Sequence, residues 1–204
     1  MPNELQRHDP LEKGERGRGQ VMQKFQPVRI SLKTGEELEI REAVPEDARS
    51  LLAYVEAVSG ESDNLTFGPG EFGITLAQEE EYLAALVKRS NAIYLVGLID
   101  GEIVASLSFA GGQRRRMQHA GEFGMSVRKR HWNKGIGQAL LAAFLTWCRN
   151  SGAIRKVNLR VWVDNSAAIH LYEKFGFKVE GRRTREFQLA GEFADVFFMG
   201  LELD

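Results

Sequence analysis

Two glycines in the second half of the chain, Gly135 and Gly137, stand between a basic segment and a stretch with helical periodicity. Ile136 and Leu140 fall on one face of that stretch, which predicts an amphipathic helix over residues 133–150. The start of a helix presents unpaired N–H groups and a partial positive charge, and glycine lets a ligand approach the backbone closely. The spacing therefore predicts an anion cradle, most naturally for a pyrophosphate.

Two better-known phosphate-binding sequences do not occur in this chain. The string G-x-x-x-x-G-K-[ST] is missing, and the dinucleotide fingerprint needs three glycines with an acidic residue about 20 positions later. The glycines alone leave a second interpretation open, in which a glycine-rich helix cap lies beside a solvated basic loop.

A second patterned run covers residues 161–177, where a strand leads to Asn165, a short helix carries Tyr172, and Gly176 ends that helix. A tyrosine hydroxyl, with a pKa near 10, can protonate a forming thiolate, because a free thiol titrates at about 8.5. Taken singly, Tyr172 is more typical of a half-buried core residue, and Asn165 of a helix cap.

Together the two runs resemble the GNAT superfamily of acetyl-CoA-dependent N-acyltransferases. The first is similar to the family pattern R/Q-x-x-G-x-G/A, with Trp132 in place of the Arg or Gln. The second agrees with the pattern N-x-x-A-x-x-L-Y-x-x-x-G-F at Asn165, Ala168, Leu171, Tyr172, Gly176 and Phe177. The order of elements is also similar to that fold from about residue 36 to residue 204.

The resemblance implies acetyl-CoA as cosubstrate, a primary amine of a small molecule or peptide as acceptor, and no metal. It implies two splayed parallel strands, a Val127 N–H that polarises the thioester carbonyl, and Tyr172 as general acid. The residues that it places around the cosubstrate are Met125, Ser126, Val127, Trp132, Asn133, Lys134, Gly135, Ile136, Gly137, Gln138 and Asn165. Lys134, Arg130 or Arg128 is expected to replace the missing side chain on the pyrophosphate.

Glu122 is the candidate general base, because it shares a strand face with Gly124 and Ser126 and could act through water. The alternative is a surface glutamate on a half-exposed strand. Cys148 has no evident histidine partner and is interpreted as structural rather than as a nucleophile.

The acceptor is not determined by the sequence. A loop over 59–73 supplies Phe67, Glu71 and Phe72, and an acid among aromatics suits a cationic amine. A solvated acidic loop with an apolar plug is the alternative. Arginines in the last hairpin would instead suit an acceptor that bears a carboxylate, and an amino-acid-like acceptor would use both.

Two other classes of function compete with an enzyme. A non-catalytic acyl-CoA-binding or sensing module would keep the glycine cradle but lack a working acid, and Tyr172 argues against it. An RNA-contacting protein would use the arginines at 114–116 and 128–130. The formal net charge of −1 and the few interleaved aromatics argue against any nucleic-acid partner.

Composition limits the remaining possibilities. The chain has 204 residues and one cysteine, which predicts a single domain without disulfides in a reducing, cytoplasmic setting. No apolar run approaches the roughly 20 residues that cross a bilayer, so no membrane partner is expected. Residues 1–22 have few apolar groups, which predicts a flexible tail. The alternative is that translation starts at Met22. One domain is expected over 23–204. Dimers are common in the resembling family, which leaves a homodimer open.

The patterning predicts the order β, β, α, α, β, β, β, α, β, α, β, β. Strands are expected at 28–32, 36–43, 92–99, 103–109, 120–128 and 157–163, with a closing hairpin of 177–187 and 194–203 around Gly191. A helix is expected to open at Pro45, and a capping box at Thr75 and Gln78 to begin the next. The predicted fold class is α/β, with a mixed, mostly antiparallel central sheet flanked by helices and with splayed central strands.

Overall fold

A computed structural model describes residues 24–203. The tail predicted for residues 1–22 lies outside that range. The strands are β1 Val28–Ser31, β2 Glu37–Glu42, β3 Ala92–Ile99, β4 Glu102–Gly111, β5 Ala120–Val127, β6 Lys156–Trp162, β7 Lys178–Leu189 and β8 Glu192–Glu202. The helices are α1 Ala48–Ser59, α2 Leu76–Leu86, α3 Ile136–Ser151 and α4 Ser166–Lys174.

The eight strands form one sheet in the order β1-β2-β3-β4-β5-β6-β8-β7. Every neighbouring pair is antiparallel except β5 and β6, which are parallel. Tight turns join the hairpins where the sequence predicts them, with positive φ at Gly35, Asp100, Gly101 and Gly191. The predicted mixed, mostly antiparallel α/β fold is confirmed.

Both faces of the sheet are covered, so the core has two parts. On one face α3 packs Ile136, Leu140 and Phe144 against the sheet, and on the other α1 and α2 do the same with Leu51 and Leu83. All eight residues of β3 are buried for this reason. An apolar run without polar alternation is what a strand covered on both sides requires.

The parallel pair β5 and β6 separates after three residues. Pairing joins Ala120–Glu122 to 156–158 and stops there, while β6 stays paired with β8 along its whole length. Beyond Glu122, the edge of β5 that faces β6 therefore has no strand partner. This confirms the splay, and it creates the opening in which the candidate site lies.

Two helix starts differ from the predicted boundaries. Helix α3 begins at Ile136 rather than at residue 133, because Asn133 and Gly135 have φ values of 62° and 87°, outside the right-handed helical region. The helix expected at Pro45 begins as a short 3₁₀ turn, and α1 follows from Ala48. At α2 the capping box is confirmed, since the Thr75 hydroxyl accepts from the Gln78 N–H and the Gln78 side chain accepts from the Thr75 N–H.

Candidate active site

A cavity of about 980 Å³ opens where β5 and β6 diverge. Its walls come from both faces of the sheet: the loop between α1 and α2 on one side, and the starts of α3 and α4 on the other. Of the residues predicted around a cosubstrate, ten line it: Met125, Ser126, Val127, Trp132, Asn133, Gly135, Ile136, Gly137, Gln138 and Asn165. Tyr172 lines it as well. The fold thus brings together two sequence runs that are about 30 residues apart.

The start of α3 is open to an anion. Its N-cap, Gly135, has no side chain to occupy the first N–H groups of the helix. At Gly137 a Cβ atom would meet Met125 Cε at 3.6 Å, Leu171 Cδ2 at 3.7 Å and Val127 Cγ2 at 3.9 Å, which are ordinary contacts. Packing therefore does not require glycine at 137. Both glycines line the cavity, so the first N–H groups of α3 are accessible from it, and this favours the cradle over a purely structural cap.

The free edge of β5 points its polar groups into the opening. The Arg128 N–H donates to Val104 O on β4 at 2.9 Å, so the N–H groups of Val127 and Met125 face the opposite way, by strand alternation. An extended ligand arm with amide groups can pair with such an edge as an added strand would. The geometry fits the pantetheine arm of coenzyme A.

Trp132, which stands where the family has Arg or Gln, is tied to the same edge. Its indole Nε1–H donates to Val127 O at 2.7 Å, and its ring remains 43% exposed. The indole thus fixes the bend between β5 and α3. It carries no charge toward a diphosphate.

Each of the three cations expected to replace the missing side chain is held by a carboxylate. Arg128 Nε lies 2.9 Å from Glu61, an Arg130 guanidinium nitrogen 2.5 Å from Glu102, and Lys134 Nζ 2.9 Å from Glu36. Lys134 does not line the cavity, because its side chain turns toward Glu36. The cradle is therefore mainly made of backbone N–H groups.

Tyr172 lies at the inner end of the cavity and is 7% exposed. Its ring packs edge-on against Phe123, with ring centroids 5.8 Å apart. No hydrogen-bond partner of its hydroxyl occurs within residues 24–203. Burial raises the pKa of Tyr172 to about 12. The phenol therefore stays protonated at neutral pH and has a proton to give.

Asn165 and Trp162 border the cavity from the β6 side. The Asn165 side chain accepts from the Ala168 N–H at 3.2 Å, so the residue does cap α4, as its alternative interpretation required. Its amide NH₂ is left for a ligand. Trp162 Nε1 is buried without a partner within the described part of the chain, so the wall offers a second unused donor.

Glu122 lies beside the cavity rather than in its lining. Its carboxylate accepts from Arg160 Nε at 2.8 Å, and Arg160 itself lines the cavity. A second acid, Glu186, lies 3.6 Å from Arg160 NH1. Glu122 therefore does not contact the opening directly. It could act there only through water or through Arg160.

The part of the cavity expected to take the acceptor lies under the loop between α1 and α2. Phe67 and Phe72 line it as predicted, with ring centroids 5.1 Å apart. Glu71 is exposed and is not in the lining, because its carboxylate accepts from the Gly68 N–H at 2.7 Å and closes a turn of its own loop.

Sequence reasoning missed several residues of the lining. They are Glu79, Tyr82, Tyr94, Ser106, Ser108 and Arg160. Most carried no local signal, since they read as ordinary strand or helix residues. Glu79 did carry one: it takes an inward position of α2 between Leu76 and Leu83, where helical periodicity calls for an apolar side chain.

An opened strand edge beside an uncapped helix start is the arrangement that the GNAT resemblance implies. In such proteins these two features hold an acyl group on an extended carrier that bears a diphosphate. Comparison with known proteins agrees. The model of the Acetyltransferase (GNAT) family matches residues 63–177. The chain therefore belongs to the GNAT family, whose members are acetyl-CoA-dependent N-acetyltransferases, and it is an enzyme of that type.

Individual relatives support the same family. An L-amino acid N-acetyltransferase of Escherichia coli K12 is 35% identical over 114 residues, which cover 56% of this chain and 70% of that protein. An L-methionine sulfoximine/L-methionine sulfone acetyltransferase of Pseudomonas paraeruginosa is 28% identical over 171 residues, covering 81% and 94%. A solved structure of a GNAT-family acetyltransferase from Streptococcus pneumoniae has a TM-score of 0.79 at 35% identity, covering 82% of this chain and 99% of that one.

No helix within residues 24–203 combines the length and the apolar character needed to cross a membrane. The same range contains no group of three or more His, Cys, Asp or Glu side chains that could hold a metal ion.

Proposed function

We propose that the protein transfers the acetyl group of acetyl-CoA to a primary amine of a small molecule or peptide by direct attack, with Tyr172 as general acid. The observation that carries the proposal is the placement of a buried, protonated phenol in the same cavity as the free β5 edge and the α3 cradle. Acetyl-CoA supplies a thioester carbon that an amine nitrogen can attack.

Binding would be divided between two backbone features. The N–H groups at the start of α3 around Gly135 and Gly137 would hold the diphosphate, and the β5 edge from Met125 to Val127 would pair with the pantetheine arm. The Val127 N–H would donate to the thioester carbonyl and stabilise the oxyanion; one such donor is worth about 3 kcal/mol. Asn165 would add a side-chain contact to the arm.

The reaction needs two proton movements. The attacking amine forms a C–N bond, the C–S bond breaks, and the thiolate takes the phenolic proton of Tyr172. The ammonium formed on the acceptor loses its proton to a base, and we retain Glu122 in that role, acting through water. The Glu122 carboxylate is already paired with Arg160, so this assignment needs its own test.

The acceptor would enter under the α1–α2 loop, against Phe67 and Phe72. Two relatives are named for amino-acid or amino-acid-like acceptors, which supports an acceptor of small size. A cytoplasmic location and a homodimer remain predictions of the sequence.

The test measures release of the coenzyme A thiol from acetyl-CoA with a panel of amines, comparing the wild type with Tyr172→Phe. We expect kcat to fall by about 100-fold or more, since general acid catalysis contributes that much. Calorimetry should show unchanged coenzyme A binding in the variant, because the phenol does not touch the cradle. Normal turnover by Tyr172→Phe would remove Tyr172 from the mechanism, and no turnover by the wild type with any amine would favour the binding module.

A further inference from the structure

One acidic residue of the cavity is buried without a partner. Glu79 on α2 is 5% exposed and lines the cavity. Across residues 24–203, its carboxylate meets neither a hydrogen-bond donor nor a cation. The charged form of such a carboxylate is disfavoured by its surroundings, and a cationic ligand in the cavity would compensate it.

The surroundings of Glu79 are aromatic. Burial first, and then the Glu79 carboxylate, raise the pKa of both Tyr82 and Tyr94, which places the carboxylate close to the two phenols. Phe67 and Phe72 line the same end of the cavity. Aromatic faces around a desolvated carboxylate suit an organic cation, because both attract positive charge.

The other charged residues that line the cavity do not compete for this role. Glu61 is paired with Arg128, and Arg160 is paired with Glu122. Glu79 is therefore the acidic group of the lining whose charge is not already neutralised by a neighbour in the described chain.

Glu79 lies too far from the reacting atoms to act on the attacking amine. Tyr94 on β3 pairs with Ser108 on β4, and Ser108 pairs with Gly124 on β5, so one row of the sheet crosses three strands. Two strand spacings amount to roughly 10 Å. Glu79 stands at the β3 end of that row, whereas Val127, which would polarise the thioester, lies on β5 three residues beyond Gly124, so the offset is at least two strand spacings.

From this arrangement we infer that the preferred acceptor carries a second positive charge, which Glu79 binds while the reacting amine lies at the β5 edge. The acceptor class is an α,ω-diamine, a polyamine, or an amine with a distal ammonium or guanidinium group. The spacing between the two nitrogens is at least about 10 Å, the width of two strand spacings. This inference rests on the proposed function, since it names the acceptor of that site.

The test uses acceptors matched in length but not in charge. Diaminoheptane carries a distal ammonium, and aminoheptanol carries a neutral hydroxyl in its place. The wild type should have a lower KM for the diamine than for the amino alcohol. In Glu79→Gln the KM for the diamine should rise by about 10- to 100-fold, which corresponds to loss of one charge-assisted contact, with kcat little changed and the KM for the amino alcohol unaffected.

Two variants control for folding and for general charge. Glu80→Gln removes an exposed carboxylate from the next position of α2 and should leave both KM values unchanged. Glu79→Asp draws the carboxylate back along its side chain, so the optimum should move to a longer diamine. Equal KM values for the two acceptors in the wild type, or equal changes for both in Glu79→Gln, would overturn the inference.

A binding measurement separates this inference from the proposed function. Calorimetry of diaminoheptane in the presence of coenzyme A needs no turnover. Loss of that binding in Glu79→Gln, together with no acetylation of any amine, would support the cation site and refute the proposed reaction. Turnover of amines by the wild type, with unchanged diamine binding in Glu79→Gln, would support the proposed reaction and refute the cation site.

Discussion

Gly135 and Gly137 stand at the start of α3 in different backbone conformations, and alanine at each should therefore have a different effect. Gly135 has a φ of +87°, and a Cβ there would have nothing within 4 Å. The cost of Gly135→Ala is then purely conformational, about 1–2 kcal/mol of unfolding free energy for an L-residue in the left-handed region.

Gly137 has no such backbone demand. A Cβ would make ordinary contacts of 3.6–3.9 Å with Met125, Leu171 and Val127. In a helical position, alanine is favoured over glycine by roughly 0.5–1 kcal/mol, so Gly137→Ala should be as stable as the wild type or more so. The family pattern R/Q-x-x-G-x-G/A admits alanine at this position, so Gly137→Ala should also retain coenzyme A binding.

The two variants are to be compared by chemical denaturation and by coenzyme A calorimetry. We expect Gly135→Ala to lose stability, and Gly137→Ala to keep both stability and coenzyme A affinity. Full stability in Gly135→Ala, or a loss of stability in Gly137→Ala, would refute the reasoning that only Gly135 is required by its backbone conformation.

Three further predictions follow from single contacts. Trp132→Phe removes the 2.7 Å hydrogen bond to Val127 O, and denaturation should show a loss of about 1 kcal/mol together with weaker coenzyme A binding. Glu122→Gln should lower kcat if the water-mediated base is correct, with kcat/KM losing its acidic limb; an unchanged pH–rate profile would assign Glu122 to its ion pair with Arg160 instead. Burial raises the pKa of Glu79 above its ordinary value of 4.5, so its contribution to stability is full below that pH and is lost as pH rises. The stability of the wild type relative to Glu79→Gln should therefore decline above about pH 4.5, and a flat difference would show that the carboxylate is not desolvated.

Much of the fold follows from local pattern. Alternating or continuous apolar runs marked the strands, and the turn residues at Gly35, Gly101 and Gly191 marked the hairpins. Helix boundaries were less secure at α3, where three residues before Ile136 take non-helical conformations to form the bend. Such a bend depends on the contact between Trp132 and Val127, which periodicity does not encode.

The sequence could also group the residues expected around the cosubstrate, because they lie in two short runs, and the structure places them along one cavity. The conformations at Gly135, Gly137 and Tyr172 are each set by neighbours close in the chain. The acceptor half could not, because it is assembled from α2, β3, β4 and a loop. The only sequence signal at Glu79 was an acidic residue on an apolar helical face. Glu71 was the stronger candidate for binding a cationic acceptor because of its aromatic neighbours, but its carboxylate closes a turn of its own loop.

The sequence by itself determined the family, the strand order in outline, and the backbone features that would hold coenzyme A. The tertiary structure decided how the charges are used. Lys134 pairs with Glu36 across 98 residues and Arg128 with Glu61 across 67, so cations that looked available to a diphosphate are already neutralised. The physical reason is that backbone conformation responds to nearby residues, whereas the partner of a long charged side chain depends on which distant elements the fold brings beside it.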